Sequence, residues 1–241
     1  MTVEINNNLH YWLGSLCKIN DIENNRKLYF PYNSVAISDN IKIIDDQGNS
    51  IPDKSWMLYL LELFNIQNHA IELNLICQFD NQSYFEAIFL GKNRYRFREI
   101  FPVIGHSYQR VILINKNNHR IDYILKDKTT DKIEIFYYDL KGIDFNYKML
   151  NQFTGIEWWN KTGSFPYPIR YGVEISQIMF GYEDKQDNES ITFVPHNSLI
   201  PNKDGFGREY PISFEEVKIR DGCISYTVKN GYCKKGIRYN C

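Results

Sequence analysis

The chain has 241 residues, a charged fraction of 24% and a hydrophobic fraction of 43%, which are ordinary values for a globular protein and exclude disorder over most of its length. Its formal net charge of -1 at pH 7 lacks the basic excess of nucleic-acid-binding proteins, so no nucleic-acid partner is expected. No stretch has the length of a transmembrane span or the pattern of a secretory signal. We therefore expect one domain over residues 1–241, which is cytoplasmic by default and has no membrane partner. The sequence does not determine the oligomeric state.

Short runs of alternating apolar and polar residues recur along the chain, and this alternation is typical of antiparallel strands. Aromatic residues, which favour sheets, make up 15% of the chain. The pattern predicts an all-β fold, an antiparallel β-sandwich of jelly-roll type, with a lipocalin-like β-barrel as the alternative. The predicted strands, in chain order, are 34–38, 41–45, 56–64, 70–79, 84–90, 95–101, 109–115, 120–126, 132–139, 171–180, 190–194 and 212–219, followed by a hairpin that turns at 230–231.

Three arginines, Arg94, Arg96 and Arg98, alternate with Tyr95 and Phe97 in the segment NRYRFRE. On a strand, the guanidinium groups would share one face and the aromatic rings the other. The pattern is typical of a solvated sheet face, and it also suits a stripe that binds a carboxylate, sulfate or phosphate. Whether the stripe lines a concavity decides between these interpretations.

The segment 140–170 lacks strand alternation and contains GIEWWNKTGSFPYPIR. Long loops on a β scaffold often carry binding sites. If the adjacent Trp158 and Trp159 lie on a strand, one ring enters the core and the other faces solvent. One interpretation is a structural corner, in which the second ring packs under the proline-rich loop. The other is a sugar platform, in which the exposed ring stacks on a sugar while Glu157 and Arg170 bond to its hydroxyls.

Motifs for metal binding, cofactors or nucleophilic catalysis are missing from the sequence. Five cysteines and five histidines are scattered without CxxC or HxxxH spacing. Neither a Ser-His-Asp order nor a GxSxG motif is present. We therefore predict no metal and no cofactor.

The run HSYQRVILINKNNHRIDYILKDKTTDKIEIFYYD resembles strands of the concanavalin A-like lectin and glucanase superfamily. In that superfamily an aromatic-rich strand and a hairpin are followed by a strand that ends in D-x-T-T, a pattern occupied here by Asp127, Thr129 and Thr130. The resemblance extends over roughly residues 50–230 and implies a jelly-roll sandwich. Retaining glucanases of the superfamily carry an E-x-D-x-E strand with two catalytic carboxylates. The segment IEWWN supplies only one, Glu157.

Glu157-Trp158, followed by Phe165-Pro166, is similar to the glutamate segment of glutamic peptidases, which share the same general fold. In that family a glutamate activates water, and a glutamine on a tryptophan-bearing strand helps to hold the oxyanion. The strand that begins at Trp56 has no glutamine over residues 57–60. Without that glutamine there is no partner to stabilise charge on the substrate oxygen, which argues against peptidase activity and leaves Glu157 as a catalytic group only in the alternative interpretation.

The sequence predicts a carbohydrate-binding, lectin-like β-sandwich without catalysis, and a glycan or another small polar ligand as its partner. One alternative is a hydrolase of the same fold, in which Glu157 acts with a carboxylate from a neighbouring strand such as Glu62, Glu174 or Asp139. Two carboxylates in one groove with perturbed pKa values would favour that alternative. Another is a structural or assembly protein with an aromatic subunit interface. The predicted ligand-binding residues are Glu157, Trp158, Trp159, Asn160, Arg170 and Arg96.

Overall fold

The computed structural model describes residues 9–16, 18–21, 26–29, 34–51, 53, 55–64, 70–78, 82–143, 151–160, 169–183, 191–196, 198–199, 212–220 and 223–230. All of its regular elements over these ranges are strands, and no helix capable of crossing a lipid bilayer occurs there. The strands are β1 (Leu9–Leu16), β2 (Lys18–Asp21), β3 (Arg26–Tyr29), β4 (Ser34–Asp46), β5 (Ser55–Phe64), β6 (Ala70–Gln78), β7 (Ser83–Phe89), β8 (Asn93–Arg96), β9 (Ser107–Asn115), β10 (Arg120–Asp127), β11 (Lys132–Asp139), β12 (Asn151–Asn160), β13 (Tyr171–Glu183), β14 (Ile191–Pro195), β15 (Ser198–Leu199), β16 (Ile212–Arg220) and β17 (Cys223–Asn230).

The strands form two large antiparallel sheets and a small β2–β3 ribbon. The seven-stranded sheet has the order β15-β1-β12-β5-β6-β7-β8. The eight-stranded sheet has the order β11-β10-β9-β4-β13-β17-β16, and β14 pairs with β13 beside this path. The predicted antiparallel β-sandwich is confirmed. The alternative of a closed lipocalin-like barrel is wrong, because the described strands separate into two sheets instead of closing into one.

The side chains of β5 show how the seven-stranded sheet divides its residues between two faces. Met57, Tyr59 and Leu61 are buried in the core between the sheets. The alternate residues of the strand, such as Leu58 and Glu62, lie on the opposite face, because successive side chains of a strand point to opposite sides. We call this opposite face the outer face of the seven-stranded sheet.

A buried ion pair within the eight-stranded sheet forms hydrogen bonds to the seven-stranded sheet. The Arg110 side chain on β9 is 0% exposed, and its Nε and Nη2 lie 2.9 and 2.6 Å from the two carboxylate oxygens of Asp39 on β4. Thr154 Oγ1 on β12 donates a hydrogen bond to the same carboxylate at 2.6 Å. The guanidinium also donates to backbone carbonyls of the other sheet, those of Tyr59, Leu60 and Leu73. The guanidinium thus fixes β5 and β6 against the eight-stranded sheet.

Some strand boundaries differ from the sequence prediction. Residues 34–38 and 41–45 form one continuous strand, β4. The strand predicted over 95–101 begins earlier and ends at Arg96. Strand β17 pairs with β13 on one edge and with β16 on the other, so residues 223–230 are the second strand of a hairpin with β16. The sequence prediction made this strand the first strand of a hairpin that turns at 230–231. The turn residue 231 and those after it lie outside the described residues.

Strand β12 lies within the segment that was predicted to be irregular, so that prediction is wrong. It pairs with β1 on one side and with β5 on the other. Its core-facing positions include two buried polar residues, Gln152 and Thr154, and its opposite face includes Gly155. These residues remove the apolar alternation by which a strand is recognised in the sequence.

Candidate functional site

A pocket of about 390 Å³ lies on the outer face of the seven-stranded sheet. This volume is within the range of small-molecule sites in proteins. Five neighbouring strands and one turn contribute its lining, which consists of Glu157 on β12, Trp56 and Leu58 on β5, Glu72, Ile76 and Gln78 on β6, Ile88 on β7, Gly91 in the following turn and Arg94 on β8.

Strand register explains why these residues meet. Glu157 pairs with Leu58, Leu58 pairs with Ile76, and Ile76 pairs with Tyr84, so the four residues form one row across the sheet. Ile76, Tyr84 and Ile88 form a small apolar cluster, against which Leu58 packs. The cluster is an apolar floor from which polar side chains rise at both ends of the pocket.

Three carboxylates, which we call the acid cluster, occupy the β12 and β5–β6 part of the outer face. They are Glu62, Glu72 and Glu157, of which Glu62 and Glu72 are direct cross-strand partners and Glu157 is only 8% exposed. Burial raises the pKa of Glu62 well above its usual range, and the nearby charges of Glu72 and Glu157 raise it further. Carboxylates that interact in this way are costly to ionise together, because each negative charge raises the pKa of its neighbour.

Burial also raises the pKa of Glu72. Two interactions oppose this rise, a hydrogen bond that Asn74 Nδ2 donates to Glu72 Oε2 at 2.6 Å and the positive charge of Arg94. Asn74 is itself fully buried on β6. Glu72 therefore has a fixed orientation beside the pocket and a proton affinity above that of an ordinary glutamate.

Positive charge lies at the β8 end of the pocket. Arg94 Nη1 is 2.9 Å from Glu86 Oε2, and the Arg94 side chain is 52% exposed. The guanidinium carbon of Arg96 lies 4.0 Å from the centroid of the Tyr84 ring. The pocket thus has Glu157 at its β12 end, Arg94 at its β8 end, and Glu72 between them on β6 in the same cross-strand row as Arg94.

Of the predicted ligand-binding residues, Glu157 lines this pocket and Arg96 lies beside it. Arg170 is elsewhere: its Nη2 is 2.7 Å from Asp46 Oδ2, and its backbone amide donates to Met57 Sδ, whose side chain is in the core. The structure therefore does not bring Arg170 to the pocket.

Trp158, Trp159 and Asn160 are the last three residues of β12. Their backbones pair with those of Met57, Trp56 and Ser55. The side chains of the three residues lie outside the described part of the structure. Their assignment to a ligand site stays a prediction from the sequence.

Among the carboxylates considered as partners of Glu157, only Glu62 belongs to the acid cluster. Glu174 and Asp139 are on β13 and β11, in the other sheet. Glu72 was not predicted, although its position on β6 opposite Glu62 follows from the pairing of two adjacent strands.

Gln78 and Trp56 were not predicted as site residues either. Gln78 pairs with Trp56 across β5 and β6, and both residues line the pocket. Gln78 Nε2 donates a hydrogen bond to Tyr84 Oη at 2.8 Å. The available signal was the two-residue alternation of β5 and β6, but the register between the strands is needed to place these residues together.

Replacement of one acid-cluster carboxylate should stabilise the protein at neutral pH. Below the ordinary glutamate pKa of about 4.3, both the folded and the unfolded chain hold the proton. As pH rises, the unfolded chain releases it first, because the pKa of Glu62 is raised in the folded state, and the free energy of unfolding falls until the pH passes that folded pKa. Glu62→Gln removes this loss.

We therefore expect thermal unfolding at pH 7.5 to occur at a higher temperature in Glu62→Gln than in the wild type, and the two to converge near pH 4. A gain of about 1 kcal/mol corresponds to a rise of roughly 2–4 °C in Tm. Glu134→Gln is the matched control. Glu134 accepts hydrogen bonds from the backbone amides of Arg98 and Glu99, so this variant should lower the stability of the protein. A Glu62→Gln variant that is less stable than the wild type at pH 7.5 would contradict the prediction that the raised pKa of Glu62 lowers the stability of the folded protein.

Comparison with known proteins identifies the fold but not a family. No family model and no curated protein sequence matches the chain. Two crystal structures of scytalido-glutamic peptidase, one with a transition-state analogue inhibitor and one with a peptide-based transition-state analogue, match 92% of this chain and 99% of theirs. Their TM-scores are 0.54 and 0.51, at 11% and 9% sequence identity. Lectin II from Ulex europaeus is a more distant likeness, with a TM-score of 0.36 and 11% identity over 66% of this chain and 83% of the lectin. The two peptidase structures show that the chain has a β-sandwich fold of jelly-roll type.

Proposed function

We propose that the protein is a hydrolase that cleaves peptide bonds at acidic pH, with the outer-face pocket as its active site. The observation that carries this proposal is the acid cluster, in which Glu62, Glu72 and Glu157 come together beside one pocket and the pKa values of two of them are raised. Clusters of this kind are costly for folding and concentrate at functional sites. Paired carboxylates with different proton affinities can divide the roles of base and acid.

In the proposed reaction Glu157, in its ionised form, accepts a proton from a water molecule, whose oxygen attacks the carbonyl carbon of the substrate. Glu72, which shares a proton with Glu62, then donates a proton to the amide nitrogen as the carbon–nitrogen bond breaks. The products are a carboxylic acid and an amine, and the proton taken up by Glu157 returns the acid cluster to its starting state. General acid and base catalysis of this kind contributes about 10²–10⁴-fold to a rate.

Gln78 is the candidate for stabilising the negative charge on the substrate oxygen. Its side-chain amide carries two hydrogens, and the hydrogen bond to Tyr84 Oη uses one of them. Gln78 and Glu157 line the same pocket from strands on either side of β5. A neutral amide donor in this position suits an oxyanion, because it stabilises charge without competing for the protons of the acid cluster.

The choice of peptide bonds is supported by the fold of the scytalido-glutamic peptidases, one of which is bound to a peptide-based transition-state analogue. Shared fold is an analogy and not a demonstration of shared activity. The chain departs from the glutamic-peptidase pattern, since its tryptophan-bearing strand β5 has no glutamine near Trp56 and Gln78 is on the adjacent strand β6.

Incubation of the purified protein with a mixture of synthetic peptides between pH 3 and pH 8, followed by mass spectrometry, tests the proposal. We expect cleavage at acidic pH that declines as the acid cluster loses its shared proton. Glu174→Gln, which changes a carboxylate in the other sheet, is the matched control and should cleave like the wild type. Absence of cleavage at every pH would reject the proposal.

Carbohydrate binding without catalysis is the second candidate function. The half-buried Trp56 favours it, because an indole ring beside carboxylate and amide groups is a common arrangement for sugar recognition. A glycan array would detect such binding, and Trp56→Ala should abolish it. Glycan binding by a protein that cleaves no peptide would favour this candidate over the hydrolase.

A further inference from the structure

We infer that Arg94 recognises a carboxylate group of the ligand at the β8 end of the pocket, and that Arg96 strengthens the positive charge there. The inference makes Arg94 a specificity-determining residue, and the ligand a peptide with a free C-terminal carboxylate or an acidic side chain. It rests on the proposed function in its use of the same pocket and of a peptide ligand, but it does not require cleavage.

The hydrogen-bonding state of Arg94 is the first support. A guanidinium group has five N–H donors arranged as a planar fork. Within the described residues, the Arg94 guanidinium makes one hydrogen bond, from Nη1 to Glu86 Oε2 at 2.9 Å, and its side chain is 52% exposed. Nε and Nη2 therefore remain available to a ligand, and one edge of the fork is held by Glu86.

Glu86 fixes the orientation of Arg94. Glu86 is buried on β7, two residues from Ile88, which is the direct cross-strand partner of Arg94. Burial raises the pKa of Glu86, whereas the charge of Arg94 and the hydrogen bond from it act in the opposite direction. The ion pair thus holds the guanidinium against the sheet, so that ligand binding loses less side-chain entropy than with a free surface arginine.

Arg96 is held in place by an aromatic ring. Its guanidinium carbon is 4.0 Å from the centroid of the Tyr84 ring, a cation–π distance. Across the described part of the chain this guanidinium has no hydrogen-bond acceptor. A guanidinium stacked on a ring keeps all of its N–H groups directed outward, where they attract an anion approaching Arg94.

The opposite charges of the two pocket ends make a carboxylate the suitable group at β8. Glu157 repels an anion from the β12 side and Arg94 attracts one on the β8 side, while Glu72 lies between them on β6, in the same cross-strand row as Arg94. An extended peptide advances about 3.3 Å per residue, and neighbouring strands are about 4.8 Å apart. The four strand spacings between β12 and β8 amount to roughly 19 Å, so an extended peptide that joins the two ends has about six residues. A peptide would be oriented by its carboxylate, which fixes the bond presented to the acid cluster.

Binding of four synthetic peptides, measured by isothermal titration calorimetry at pH 6, tests the inference without relying on cleavage. The peptides are acetyl-Leu-Ala-Leu-Ala and acetyl-Leu-Ala-Leu-Asp, each as the free acid and as the C-terminal amide. To prevent turnover, the measurements use the full chain carrying Glu157→Gln as the parent. Arg94→Gln is introduced into this parent, and Arg98→Gln is the matched control, because Arg98 is exposed and follows the end of β8.

The parent should bind at least one carboxylate-bearing peptide about tenfold more tightly than the neutral alanine amide, the effect of one charge-assisted hydrogen-bond pair. Arg94→Gln should abolish this difference, and Arg98→Gln should preserve it. Preference for the alanine acid identifies a C-terminal carboxylate, whereas preference for the aspartate amide identifies a side chain.

Three results would overturn the inference: equal affinity for neutral and acidic peptides, an equal effect of Arg94→Gln and Arg98→Gln, or no measurable binding of any peptide. Selective binding that depends on Arg94, in a wild-type protein that cleaves nothing, would uphold the inference and reject the hydrolase. Cleavage by the wild type, together with equal affinity for neutral and acidic peptides, would uphold the hydrolase and reject the inference about Arg94.

Discussion

Glu157→Gln should lower the rate of peptide cleavage by at least about 100-fold, the lower end of the contribution of a general base. Glutamine has nearly the same shape as glutamate but cannot accept the proton of the attacking water. The charge of Glu157 also raises the pKa of Glu62, so its removal relieves repulsion in the acid cluster. The variant should therefore be as stable as the wild type, or slightly more stable, at neutral pH. Initial cleavage rates and thermal unfolding curves would be measured on the same preparations.

Two comparisons make this result specific. Glu72→Gln should reduce cleavage and should move the decline of activity with pH, because Glu72 is the proposed proton donor. Glu174→Gln, with its altered carboxylate on β13, should change neither rate nor pH dependence. A Glu157→Gln variant that retains more than half of the wild-type rate would remove Glu157 from the mechanism, whatever its stability.

Arg110→Met should lower the free energy of unfolding by about 3–5 kcal/mol, the usual cost of leaving one partner of a buried ion pair unpaired. Arg110 and Asp39 are both fully buried, and methionine leaves the Asp39 carboxylate with Thr154 as its remaining donor from the network. Three backbone carbonyls in β5 and β6 also lose a donor. Urea denaturation monitored by tryptophan fluorescence measures the effect.

The double variant Asp39→Leu/Arg110→Met is the control for this prediction. Replacing a whole buried ion pair by apolar residues is often neutral, whereas removing one partner is costly. We expect the double variant to recover part of the lost stability, although the carbonyls of Tyr59, Leu60 and Leu73 still lack their donor. A single variant that loses less than about 1 kcal/mol would show that the ion pair does not fix the two sheets together.

Strands with regular alternation were predictable from the sequence alone. The prediction for 132–139 agrees with β11 at both ends, and that for 70–79 agrees with β6 within one residue. Alternation works here because one face of each strand packs on the core and the other does not. It failed for β12, where Gln152 and Thr154 occupy core-facing positions and Thr154 is retained by its hydrogen bond to Asp39.

The candidate site was only partly predictable. Glu157 was identified from its local setting, but Arg170 was grouped with it because the two are close in the chain. In the structure Arg170 follows the segment after β12 and forms an ion pair with Asp46 at 2.7 Å, whereas Glu157 is on the outer face of the other sheet. Proximity in sequence was therefore a poor guide to proximity in space.

The amino-acid sequence by itself determined the all-β class and most strand positions, because these depend on the side-chain alternation within each strand. The tertiary structure decided between a sandwich and a closed barrel, because that depends on which strands pair. The tertiary structure decided which carboxylates meet, because that depends on the order and register of strands from distant parts of the chain. Register places Glu62 opposite Glu72 and sets Glu157 in the same row as Leu58 and Ile76. It also brings Gln78 and Arg94 to the pocket, and neither residue has a local signal that indicates a shared site.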